Sequence, residues 1–121
     1  MQVTQASRAI NLEGTKMPKV TTVTLKGKSG NAYDFDVYPW GTSFKPVGAV
    51  YTVLKANPSN YSILYIGETG DLSSRFDSHH KQSCFDRNGK THIGIHLESN
   101  GKRRLEIEAD LLANYRTQCN D

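Results

Sequence analysis

Residues 47–67 read VGAVYTVLKANPSNYSILYIG, and this stretch decides the fold. Residues 47–54 are a near-continuous apolar run of strand length, and residues 62–67 are a second run of the same kind. The loop between them, carrying Asn57-Pro58-Ser59, is too short for a crossover, so the pairing is antiparallel. Strands apolar on both faces need cover on both sides, which predicts two central strands. If Leu54 pairs with Ser62, Tyr51 lies directly opposite Tyr65. A register slipped by an even number still keeps the two tyrosines on one face.

Upstream, residues 20–25 are rich in β-branched side chains, and residues 26–31 (KGKSGN) form a turn cluster. Tyr33, Phe35 and Val37 then alternate with Asp34, Asp36 and Tyr38, so residues 20–38 are expected to form a β-hairpin. Residues 1–18 are polar and aperiodic and read as a flexible N-terminal tail, leaving residues 19–121 as one domain. Downstream, Asp71 is placed to cap a helix running to about Gln82, with Leu72 and Phe76 as its buried i, i+4 pair. Residues 92–97 read as a third strand, with Ile93, Ile95 and Leu97 on one face. A second helix is expected from Arg103 to about Arg116. The predicted architecture is α/β of the α+β type: a small antiparallel sheet of about three central strands flanked by helices, preceded by the hairpin.

Composition narrows the function classes. With 121 residues, 36% hydrophobic and 22% charged, the chain suits a single globular domain. Its apolar runs are far shorter than the ~20 residues a bilayer-spanning helix requires. Its start lacks the basic and apolar segments of a signal peptide. Two cysteines, Cys84 and Cys119, make no disulfide framework and are expected as reduced thiols in a cytoplasmic protein. The net charge of +3 divides into +4 over residues 1–60 and −1 over residues 61–121. A basic half permits contact with a polyanion without requiring it.

Three groups of residues carry chemistry. On a 100° wheel of the last helix, Ile107, Leu111, Tyr115, Leu112, Leu105, Ala109 and Ala113 share one broad arc. Glu108 falls near its middle, while Glu106, Asp110 and Asn114 lie opposite. A carboxylate on a buried face needs a partner, which is either an ion pair with Arg104 or a functional ligand. Arg75 and His79, four residues apart, form either a solvated helix face or a pair that joins a phosphate fork to a proton relay. The four histidines and two cysteines lack the paired short spacings of a zinc site. No phosphate-binding P-loop, Gly-x-Ser-x-Gly elbow or His-Glu-x-x-His motif is present.

Read in order, these fragments resemble the GIY-YIG nuclease superfamily over residues 47–120. Gly48-Ala49-Val50-Tyr51 is similar to the first signature and Tyr65-Ile66-Gly67 to the second. Asp71-Leu72-Ser73-Ser74-Arg75 resembles the start of the arginine-bearing helix, and His79 stands at the spacing of the homing and restriction branches. Glu108 resembles the metal-binding glutamate and Asn120 the terminal asparagine. Two positions depart from the pattern. Glu68 stands where the excision-repair branch has lysine, and Gln118 where many members have proline.

The resemblance implies a phosphodiester hydrolase using one Mg²⁺ or Mn²⁺ held by Glu108. Tyr51 would position or deprotonate the attacking water, and Tyr65 would bind the phosphate or share that task. Arg75 would neutralise the transition state with His79 beside it, and Asn120 would orient the phosphate or the tyrosine. The implied partner is nucleic acid, DNA over RNA, with specificity supplied by a protein partner or a homodimer and no membrane involved. The competing expectations are a non-catalytic nucleic-acid-binding module of the same fold and a protein-interaction domain.

Overall fold

The computed structural model describes residues 2–4, 19–77 and 79–120. The strands are β1 (Gln2–Thr4), β2 (Thr21–Lys26), β3 (Ala32–Pro39), β4 (Ala49–Ala56), β5 (Asn60–Thr69) and β6 (His92–Leu97). The α-helices are α1 (Gln82–Arg87) and α2 (Gly101–Asn114). The strands form one antiparallel sheet in the order β1-β5-β4-β6-β3-β2. The outermost strands, β1 and β2, approach one another, so the sheet curls into a half-barrel.

This corrects the expected architecture. The sheet is not a three-stranded core flanked by helices, because the hairpin is continuous with it. Asp36 pairs with Ile95 and Tyr38 with Ile93, so β3 covers the edge of β6 that would otherwise be exposed. Gln2–Thr4, expected within a flexible tail, pair with residues 60–62 of β5. The rest of that expected tail, residues 1 and 5–18, lies outside the described residues.

Each face of the sheet carries its own core. Val23, Leu25, Phe35, Val50, Leu54, Ile63 and Ile66 pack on one face beneath Ile107 and Leu111 of α2. Ala49, Tyr51, Val53, Tyr65, Ile93 and Ile95 pack on the other beneath Leu72, Phe85 and Cys119. The double cover matches strands apolar on both faces. A bulge between Val53 and Leu54 sets the register at Tyr51 opposite Gly67 and Val53 opposite Tyr65. The offset is even, and the tyrosine rings stack on one face with centroids 6.0 Å apart.

The buried arc of α2 is narrower than the wheel indicates. Ile107 and Leu111 are buried, but Leu105 is 55% exposed and Leu112 is 37% exposed. The cause is the hairpin turn, which occupies one flank of the helix. Asp110 accepts from the Ser29 backbone N–H (2.8 Å), Ser29 Oγ (2.6 Å) and Tyr33 Oη (2.7 Å), and these donors hold its carboxyl below the ordinary range. Asn114 donates to the Lys26 carbonyl at 2.7 Å, and Asp110 leaves Gly27 no room for a Cβ. Asp110 and Asn114, assigned to the face opposite the core, are docking groups.

The helix expected from Asp71 to Gln82 is also corrected. Asp71 does cap, accepting from the Ser73 N–H at 2.9 Å, but only a 3₁₀ turn at Leu72–Ser74 follows. Successive serines compete for backbone groups and favour a single turn over propagation. The helix begins again only at α1.

Cys84 in α1 and Cys119 near the C-terminus form a disulfide with Cα atoms 5.9 Å apart, not the two free thiols expected. Closing a loop over a separation of 35 residues stabilises the fold by about 4 kcal/mol on a chain-entropy basis. Disulfides persist in oxidising media, whereas the cytoplasmic expectation rested on reduced thiols. Among the described residues, no helix is long and apolar enough to cross a membrane.

Candidate active site

Four polar side chains meet where β4 and β5 pass beneath the 3₁₀ turn. Tyr51 is fully buried on β4, and its oxygen is the hub. Arg75 Nε donates to Tyr51 Oη at 3.0 Å. His79 Nε2 lies 2.7 Å from the same oxygen. The Lys81 backbone N–H donates to His79 Nδ1 at 3.0 Å, so Nε2 carries the ring proton and donates to the tyrosine. Two donors already occupy the Tyr51 oxygen, and its own proton is turned to the neighbouring Tyr65 hydroxyl. Arg75 and His79 were expected one turn apart on a helix; they lie instead after the 3₁₀ turn, in irregular backbone, and still converge on one atom.

Backbone geometry makes the hub possible. A Cβ on Gly67 would come within 2.7 Å of the Tyr65 ring and 2.8 Å of Tyr51 Oη. Only glycine lets the hydroxyl lie against β5 opposite Tyr51. Tyr65 completes the cluster, with its ring 5.0 Å from that of His79 and edge-on to it.

Electrostatics assign protonation states. Burial pushes the Tyr51 phenol far above its usual value, and the adjacent Arg75 only partly offsets this. Tyr65 is also raised by burial, with Arg75 and Tyr51 opposing. His79 is lowered to about 4, first by burial and then by the positive charges of Arg75, His80 and Lys81. Its imidazole is therefore neutral at pH 7.

That shift predicts a pH dependence. The unfolded chain binds the His79 proton below about 6.5 and the folded protein only below about 4. Between those values the unfolded state holds more protons, so this contribution to stability falls as the pH drops through the window. Urea midpoints of wild type and His79→Gln are expected to differ more at pH 7 than at pH 4.5. An unchanged gap would contradict a buried neutral imidazole.

Glu108 is half-buried on α2, and burial together with the neighbouring Glu68 raises its carboxyl above the usual range. Its charge raises Tyr65 and is itself favoured by Arg75, so it acts on the cluster electrostatically. Of the two alternatives for Glu108, the ion pair with Arg104 is not formed among the described residues. Arg104 Nε instead bonds Glu68 at 2.9 Å, while its Nη1 donates to the carbonyls of Glu98 (3.1 Å) and Ser99 (3.0 Å). Gly48 carries no side chain because a Cβ there would lie 2.4 Å from that guanidinium. Among the described residues, Glu108 has neither an ion-pair nor a hydrogen-bond partner.

Asn120 sits beside the cluster but faces the backbone. Its Oδ1 accepts from the Ile66 N–H at 2.9 Å and its Nδ2 donates to the Ile66 carbonyl at 2.8 Å, the pattern of one added strand residue. Thr117 Oγ1 bonds the same oxygen. Asn120 thus braces the strand that carries Tyr65, and its amide is not free for a ligand.

Sequence reasoning missed two features of the site. The Arg104–Glu68 bridge had a trace in Gly48, but no spacing rule links residues 36 apart. The aromatic wall of Trp40, Phe44 and Phe76 belongs to separate segments that meet only in three dimensions. Scans against protein-family models, curated proteins and solved structures find no match for this chain.

Proposed function

We propose that this protein is a metal-dependent endonuclease with a GIY-YIG-type centre, acting on the phosphodiester bonds of nucleic acid, DNA over RNA. The observation that carries the reading is the convergence of Arg75 and His79 on the buried Tyr51 hydroxyl, with the carboxylate of Glu108 within electrostatic reach of Arg75. Structural ion pairs account for charges that face each other. They do not account for a half-buried carboxylate that has no ion-pair partner among the described residues.

The residues fit one hard cation. Among the described residues, no cluster of three or more potential ligands exists, so a cation would rely on Glu108 with substrate oxygen and water. Mg²⁺ or Mn²⁺ favours that arrangement, because it keeps several waters and takes few protein ligands. When bound, the ion supplies positive charge against the phosphoryl oxygens.

The chain's own groups do the rest. Arg75 is held in place by its bond to Tyr51 and offers a planar fork of donors to a phosphate whose charge grows in the transition state. Tyr51 remains a phenol, since burial outweighs the Arg75 bond, and by turning its proton to Tyr65 it fixes the hydroxyl that faces the substrate. Neutral His79 maintains that orientation by donating from Nε2. Tyr65 hydrogen-bonds a non-bridging oxygen, and Asn120 acts only by bracing β5. In a reducing cytoplasm the same protein would carry Cys84 and Cys119 as thiols.

Purified protein is expected to cut or nick mixed nucleic acid in Mg²⁺ or Mn²⁺ and to stop when EDTA is added. Salt-dependent binding without cleavage would replace this reading with a non-catalytic nucleic-acid-binding module.

A further inference from the structure

A cleft of about 350 Å³ opens beside the cluster, walled by Trp40, Phe44 and Phe76 and floored by Leu72 and Ile93. Its volume is near the lower bound of about 300 Å³ typical of small-molecule sites. The three aromatic rings are half-buried, so each keeps part of its surface open to the cleft. They are also braced from behind. Trp40 packs on Phe85 at 6.1 Å and carries the Lys90 ammonium 4.8 Å from its ring, while Phe44 rests edge-on to Tyr38 at 5.4 Å.

Phe76 is the link to the chemistry. It follows Arg75 in the chain, its ring lies 5.0 Å from that of Tyr51, and it meets Trp40 at 5.7 Å. A phosphate held by Arg75 and Tyr65 would place an adjoining nucleotide at the mouth of the cleft. The exposed Asp77 carboxylate on the lining would repel a second phosphate but can accept from a base amino group. A flat, neutral, N–H-bearing group fits these walls.

We infer that this cleft takes one unpaired nucleobase adjoining the phosphate to be cut, stacked against the Trp40, Phe44 and Phe76 rings. A base paired within a continuous duplex cannot enter it, so the substrate is single-stranded, branched or distorted at that position. The inference deepens the nuclease reading and rests on it for the position of the phosphate.

Trp40 is the single tryptophan of the chain and reports on its own cleft. In EDTA, where the strand stays intact, a deoxyadenylate tetranucleotide is expected to quench Trp40 fluorescence saturably. An abasic tetramer of equal length and charge should not. Phe44→Ala, in an irregular segment, is expected to weaken binding by about 5- to 100-fold, the value of one lost stacking face. Phe44→Leu, which keeps apolar bulk without a π-face, should weaken it too if the contact is stacking, and it guards against a folding defect in the alanine variant. Equal quenching by the abasic strand, or no quenching, overturns the cleft. If metal-dependent cleavage persists in that case, the nuclease reading stands alone. Base-dependent quenching in a protein that does not cleave keeps the base site and removes the nuclease reading.

Discussion

Glu108→Gln is expected to reduce metal-dependent cleavage by about 10³-fold or more, while the melting temperature stays level or rises. Gln is nearly isosteric but carries no charge, so it removes the ligand a hard cation requires. In the metal-free fold, the Glu108 carboxylate is destabilised by burial and by Glu68, and neutralising it relieves both. The change leaves the Arg104–Glu68 bridge intact and removes only a lesser attraction to Arg75. Glu106→Gln is the control: Glu106 is exposed and, among the described residues, meets only Arg103, at 3.5 Å, so a shift of less than about 0.5 kcal/mol and full activity are expected. Loss of stability with retained cleavage in Glu108→Gln would make Glu108 structural and end its assignment as a metal ligand.

Arg75→Ala is expected to reduce cleavage by about 100-fold, on the order of 3 kcal/mol for one placed donor, whereas Arg103→Ala stays near wild type. Both variants remove one positive charge, but only Arg75 bonds the Tyr51 oxygen. Arg103 is exposed on the first turn of α2. Arg75→Lys should recover little, since a lysine ammonium cannot hold the phenol through an Nε donor and also present a fork to phosphate. Equal losses in Arg75→Ala and Arg103→Ala would reduce the arginine to general electrostatics.

Much of this was legible in the chain because it depends on period-2 alternation and on parity. The hairpin and the two central strands follow from alternating and continuous apolar runs, and residues 92–97 coincide with β6. Tyr51 and Tyr65 share a face under any even register, so a two-residue error in their pairing cost nothing. The 3.6-residue pattern was a weaker guide. Leu72 and Phe76 invited a helix, but two consecutive serines and a single capping aspartate support only one 3₁₀ turn. The α2 wheel similarly counted every apolar residue as buried, although the hairpin turn claims one flank of that helix.

By itself, then, the sequence determined strands β2 to β6, the double-sided core and the shared face of the two tyrosines, because side-chain alternation is a property of the local backbone. Only the tertiary structure decided that β3 extends the sheet beside β6 and that Arg104 reaches Glu68 rather than Glu108. It also decided that Cys84 and Cys119 meet and that Asn120 is spent on the Ile66 backbone. Each of these joins residues more than thirty apart, whose encounter is selected by the collective packing of the whole sheet and not by any local pattern.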